Sequence, residues 1–192
     1  LFPRGAWRYW TNANLPRFEK VIASWDFAFK DLKSSDFVVG QVWGVTPGAM
    51  YLLEQVRGQW SFTRTCKELA DQRSRWGSVL GRVYCEDKAN GPGILDVMRG
   101  TCRGLTPVDP VGSKHARAAS IAGFQQAGDL HLPAGLPWVA DFVEEHHQFP
   151  RGTHDDQVDA TSQAVSQVWS GRRVGRWSLD LAAMGVTQAW AP

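Results

Sequence analysis

The sequence predicts an α/β domain: a mixed central sheet of about five main strands, the first three a meander, with helices on both faces. Three observations carry that expectation. Three extended, apolar-rich segments follow one another before any helical periodicity begins, at Val21–Phe29, Phe37–Val45 and Ala49–Arg57. From Ser61 onward, helical and extended patterns alternate. At 192 residues, 43% hydrophobic and 21% charged, the chain is long enough for one sizeable core.

The elements follow in order. Residues 1–20 are rich in Pro, Arg and aromatics without periodicity and read as a lead-in segment. Val21–Phe29 carries Asp26 between Trp25 and Phe27, which suggests a strand buried on both faces. A carboxylate there must be paired, protonated or metal-bound, unless it ends the strand and is solvated by the loop that follows. After the polar stretch Asp31–Asp36, the next two strands form a hairpin through Thr46-Pro47-Gly48. Ser61–Trp76 has helical spacing at Phe62, Cys66, Leu69, Ala70 and Arg73, with Ser61 as a cap. Val79–Glu86 is a fourth strand, ending in Glu86-Asp87. Asn90-Gly91-Pro92-Gly93 interrupts before a short helix over Ile94–Met98, and Leu105–Val108 is a fifth strand. Lys114–Ala127 reads as a helix closed by Gly128, then Leu130–Leu132 as a short extended piece, then Trp138–His146 as a helix. A last helix starts near Thr153 or Asp155 and reaches Trp169; residues 171–192 read as a loosely held tail, leaving 21–170 as the domain.

Bulk properties narrow the function classes. A net charge of +2 gives no strong overall field toward nucleic acid, so any such contact must come from a local patch. Three cysteines, Cys66, Cys85 and Cys102, lack paired spacing, which argues against a disulfide framework or a zinc site and for a reducing compartment. The first ten residues lack the apolar centre of a signal peptide, and the uncharged run Phe37–Leu53 is broken by Gly40, Gly44, Pro47 and Gly48, so it reads as a hairpin and not as a membrane span. Of ten tryptophans, Trp7, Trp10 and Trp190 lie near the ends, where they are candidates for a surface that a partner covers.

The chemistry concentrates in His154-Asp155-Asp156-Gln157-Val158-Asp159-Ala160. Acidic residues in a first helical turn suit the positive end of the dipole, which accounts for one or two of them. It does not account for Asp159, one turn in, on the side of Asp155 and near Asp156. Like charges so close repel, and a divalent cation is the economical compensation; a solvated acidic helix start is the alternative. Two other acidic sites accompany this one, Asp26 on the first predicted strand and Glu86 at the end of the fourth. Those two strands can be neighbours in a mixed sheet. Hard cations take oxygen ligands, and two metals roughly 3.5–4 Å apart clamp the attacking and leaving oxygens of a phosphoryl displacement.

Ser24-Trp25-Asp26-Phe27-Ala28, Cys85-Glu86-Asp87-Lys88-Ala89-Asn90-Gly91 and the His154–Ala160 stretch resemble the three acidic motifs of the nuclease domain of large terminase subunits, the DNA-packaging motors of tailed bacteriophages. The resemblance takes in Gly112-Ser113-Lys114-His115-Ala116-Arg117 and covers roughly residues 20–170. It implies a ribonuclease H-like fold and a Mg²⁺- or Mn²⁺-dependent endonuclease that cuts concatemeric double-stranded DNA by two-metal hydrolysis, largely without sequence preference. It also implies a virus-encoded protein of the host cytoplasm, not secreted and without a membrane partner, whose partners are an ATPase domain, the portal and the small terminase. No Gly-x-x-x-x-Gly-Lys-Ser/Thr loop is present, so the chain resembles the nuclease half alone and residues 1–20 the remnant of a linker.

Carried over by position, the resemblance makes Asp26, Glu86 and Asp156 metal ligands and catalytic residues, with Asp155 beside them. Asp159 is expected behind the site, orienting a ligand. Asp87 competes with Glu86, because strand alternation lets only one face the site. Lys88 is expected to contact phosphate or offset carboxylate repulsion, or to be a solvated loop lysine. His154 is expected near the attacking water or holding a carboxylate. His146 and His147 end a helix, where a charged imidazole suits the dipole, and receive no chemistry. Lys114 and Arg117 open a helix, where positive charge is unfavourable, and DNA phosphate is the expected compensation. Two other readings remain open: a Holliday-junction resolvase or transposase-like nuclease, and a non-cleaving nucleic-acid or packaging scaffold with a vestigial acidic site.

Overall fold

The computed structural model describes residues 1–27, 36–87 and 91–169. Lys88, most of the polar stretch after Phe29, and the tail with Trp190 lie outside the described residues.

Seven strands form one mixed sheet: β1 (Arg8–Trp10), β2 (Lys20–Asp26), β3 (Val38–Val45), β4 (Met50–Gly58), β5 (Leu80–Glu86), β6 (Leu105–Val108) and β7 (Leu130–Pro133). Their order across the sheet is β1-β7-β4-β3-β2-β5-β6. The meander β2-β3-β4 is antiparallel as expected, and the flanking pairs are parallel. The helices are α1 (Phe62–Trp76), α2 (Gly91–Met98), α3 (Lys114–Ala127), α4 (Trp138–Gln148) and α5 (Asp156–Trp169). Ser61 caps α1 through Arg64 N, and Gly128 closes α3 at φ 85°, a left-handed conformation that suits glycine. Among the described residues no helix is long and apolar enough to cross a membrane.

Alternation along the strands sorts the core into two layers. Val21, Ala23, Trp25, Val83 and Cys85 pack on one face with Leu69 and Trp76 of α1 and Ile94 of α2. Ile22, Trp43 and Tyr84 pack on the other with Ile121 of α3, Phe142 of α4 and Val158 and Val165 of α5. β3 is buried along its whole length. Its glycines admit aromatic rings laid flat on the strand: a Cβ at Gly40 would stand 2.4 Å from the Trp25 ring, and one at Gly44 2.6 Å from Phe18.

The segment 1–20, read as a lead-in, packs onto the domain at several points. Phe2 and Trp7 are buried against Phe142 and His146 of α4, and Arg4 forks onto Glu144. β1 extends the sheet beside β7, and Trp10 donates its indole N–H to Leu52 O at 3.0 Å. Trp7 and Trp10 are therefore covered by their own chain, not by a partner. A three-residue strand after a single 3₁₀ turn is too short to display a period, so pattern reading passes over it.

Candidate active site

β2 and β5 run parallel as neighbours, with Trp25 opposite Cys85. One step further, at the carboxyl ends of both strands, stand Asp26 and Glu86. Trp25 and Cys85 face the α1–α2 layer, so alternation turns Asp26 and Glu86 toward α3 and α5. Asp87 faces the opposite way and lines a separate cavity with Pro92, Leu95 and Arg103. Geometry thus separates the two adjacent acids: Glu86 looks into the candidate site and Asp87 does not.

The start of α5 completes the cluster, and a polar scaffold holds it there. Ser24 Oγ donates to Ala160 O at 2.8 Å. The side-chain amide of Gln163 donates to Ser24 Oγ, Trp25 O and Tyr84 O at 2.9, 3.3 and 3.3 Å, tying α5 to the ends of both acid-bearing strands. On its other side α5 meets a buried network. Glu145 of α4 accepts from the backbone N and side-chain Nε2 of Gln157, each at 2.6 Å, and from Arg57 at 3.0 Å. Gln55 Nε2 donates to Gln157 Oε1 at 2.7 Å, while Gln41 links Trp43, Gln55, Gln157 and Thr161. Glu145 thereby satisfies a free N–H at the first turn of α5, as a capping carboxylate does.

The cluster itself is electrostatically strained. Burial pushes the Asp26 carboxyl well above the usual range; Asp159, Asp156 and Glu86 push it further, and Lys114 opposes them. Asp159 is also raised, by burial first, against the hydrogen bond and charge of Lys114. Asp156 is raised to about 6 by burial, partly offset by the Phe37 N–H that donates to its Oδ2 at 3.1 Å. Among the carboxylates, Asp159 acts most strongly on Asp26, and with Glu86 it lines a cavity of 460 Å³ walled by Val108, Ala116, Arg117 and Gln163. Asp159, expected behind the site, lines this cavity beside Glu86. Three positions apart, Asp156 and Asp159 lie on neighbouring faces, and Asp156 leans toward Phe37 and His154. Spacing alone does not give the rotation of a helix about its axis.

Lys114 and Arg117 find carboxylates where phosphate was expected. Lys114 Nζ lies 2.8 Å from Asp155 Oδ1 and 2.5 Å from Asp159 Oδ2, and Arg117 Nη2 lies 3.3 Å from Asp159 Oδ1. Burial lowers the Lys114 pKa, but the bonds to Asp155 and Asp159 outweigh it and raise the pKa overall. His154 Nδ1 is 3.9 Å from Asp156 Oδ2, and its ring stands edge-on to Phe37. His146 is no dipole-stabilised cation: its ring is wholly buried among Phe2, Trp7 and Phe142, and burial drives its pKa down to about 3. The scaffold roles of Gln163, Gln157 and Glu145 are not legible in the sequence, because polar residues on a helix ordinarily mark a solvated face.

The donor set is oxygen only, which suits a hard divalent cation, and the repulsion around Asp26 favours added positive charge. Among the described residues, no three acidic, histidine or cysteine side chains form a ready-made metal-binding group.

Residues 23–167 match the family model of the terminase RNaseH-like domain, and the chain belongs to that family. No curated protein sequence matches it. Its fold is shared with the large terminase of a thermophilic bacteriophage in complex with ADP, at 12% identity and a TM-score of 0.65, covering 88% of this chain and 44% of that one. It is shared also with the large terminase nuclease of thermophilic phage G20c with bound zinc (18% identity, TM-score 0.63, 85% and 95% covered). A third is the g2p nuclease domain of bacteriophage SPP1 with bound Mn (12% identity, TM-score 0.60, 88% and 99% covered). The fold is therefore ribonuclease H-like, and the chain spans less than half of the ADP-bound large terminase it matches.

Proposed function

We propose, with membership of the terminase RNaseH-like family as the premise, that this chain is the nuclease domain of a phage DNA-packaging motor and hydrolyses double-stranded DNA. The observation that carries the reading is the juxtaposition of Asp26 and Glu86 at the carboxyl ends of adjacent parallel strands, facing Asp159 of α5. Asp26, Glu86 and Asp159 would hold Mg²⁺ or Mn²⁺, with Asp156 and Asp155 flanking them. Divalent ions bound there would supply a Lewis acid for the phosphodiester and an activated water. The side chains' own task is to present oxygens in a fixed frame. Ser24 and Gln163 lock the strand ends to α5, and Glu145 fixes the first turn from behind. The products expected are a 3′-hydroxyl and a 5′-phosphate. Contacts to phosphate carry no base information, so cutting is expected to be largely sequence-independent.

An ATPase domain, the portal and the small terminase are the partners that this reading brings with it, in a virus-encoded protein acting in the host cell. The ADP-bound large terminase and the metal-bound G20c and SPP1 nucleases support that context. A plasmid nicking assay with Mn²⁺ or Mg²⁺ tests the proposal. Cleavage that Asp26→Asn and Asp159→Asn each reduce about 100-fold or more supports it. A chain that never cuts, or variants that cut at the parent rate, would overturn it.

A further inference from the structure

The carboxylate cluster already holds a cation of its own. Lys114, the first residue of α3, brings its ammonium within 2.8 Å of Asp155 and 2.5 Å of Asp159. It also opposes the repulsion that the other acids exert on Asp26. Both oxygens of Asp159 are engaged, Oδ2 by Lys114 and Oδ1 by Arg117, so that carboxylate has no oxygen free of a cationic partner. The two cations differ in how they are held. Arg117 is 15% exposed and is also fastened to Gly112 O, whereas the Lys114 side chain is 53% exposed on a four-carbon stem. A divalent ion and an ammonium cannot share the same oxygens at such distances without strong mutual repulsion. Lys114 is the one of the two free to leave.

We infer that Lys114 is a displaceable stand-in for the divalent cation: its ammonium neutralises the cluster in the metal-free protein, is exchanged out when an ion binds, and is then offered to the phosphate backbone of the substrate. The inference rests on the nuclease reading and adds a form of control to it. With the lysine in place, the ion site is closed by the protein itself. A duplex that engages the released ammonium favours ion loading, and the loaded ion favours the duplex, since coupling between two ligands is reciprocal.

Titration of the whole chain with Mn²⁺, read by the paramagnetic signal of the free ion, tests this without any cleavage. Lys114→Met is expected to bind Mn²⁺ about tenfold more tightly than the parent in the absence of DNA, and Lys114→Arg, which keeps a cation, to bind no more tightly than the parent. A duplex with non-hydrolysable phosphorothioate linkages is expected to raise the Mn²⁺ affinity of the parent several-fold but not that of Lys114→Met. In the unsubstituted protein, Mg²⁺ should release the Lys114 ammonium, seen by NMR as faster exchange of its Nζ protons. Unchanged Nζ exchange at saturating Mg²⁺, or a Lys114→Met protein binding Mn²⁺ no better than the parent, overturns the stand-in role. If Mn²⁺ binding is absent, or Asp26→Asn leaves it unaltered, the nuclease reading itself falls. If Asp26→Asn weakens binding while Lys114→Met fails to tighten it, only the inference about Lys114 falls.

Discussion

Two groups of acids flank the start of α5, and they are built on opposite plans. Behind the helix, Glu145 is satisfied: its two oxygens take hydrogen bonds from Gln157 N, Gln157 Nε2 and Arg57. In front, Asp26, Glu86 and Asp159 crowd one another, with a half-exposed lysine and an arginine on Asp159 as relief. Glu145 and Asp159 are buried alike, so burial does not mark function. The mark is charge that the fold has assembled and left unbalanced.

The contrast yields graded predictions. Glu145→Ala leaves Arg57 and the first turn of α5 without their partner and should lower stability by about 3–5 kcal/mol, measured by urea unfolding. Asp26→Asn should do the reverse, raising the stability of the metal-free protein while cutting nicking about 100-fold or more, roughly 2.7 kcal/mol or more of barrier. If Asp26→Asn destabilised the metal-free chain as Glu145→Ala does, the front group would be structural as well. A pH series separates the groups further. Burial raises the Asp156 carboxyl from the usual carboxylate range to about 6, so the folded state holds the extra proton between the two. Stability of the metal-free chain should therefore fall as pH rises from about 4 to 6, by about 1–3 kcal/mol from Asp156, and Asp156→Asn should reduce that slope while leaving the part due to Asp26 and Asp159. Gln163→Leu removes the tie between α5 and both strand ends and should cost about 1–3 kcal/mol, with a drop in nicking that Gln163→Glu does not restore. Asp87→Asn, on the far side of the sheet, should change nicking little.

The strands and helices were readable from periodicity, capping and turn residues, nearly to their ends. β1 was not, because three residues carry no period. In the site, Asp26 and Glu86 were readable because an acid at the end of an apolar strand is anomalous wherever it occurs. Which of Asp156 and Asp159 lines the cavity beside Glu86 was not, since that depends on how α5 is rolled against the sheet. The roll is set by Gln41, Gln157, Gln163 and Glu145, whose value lies in partners more than 70 positions away or on another element. Lys114 was recognised as an unfavourable charge at a helix start, but its partners, Asp155 and Asp159, come from a segment that sequence order does not bring near.

The aromatic wedge at the chain's beginning has a practical corollary. Removing residues 1–10 alone would strip Phe2, Trp7 and β1 together while leaving β2 whole. α4 would lose the rings that cover His146, and β7 would become an outer edge with unpaired backbone groups. Such an edge invites strand pairing between molecules, so the shortened protein should self-associate more than the longer one, as read by light scattering.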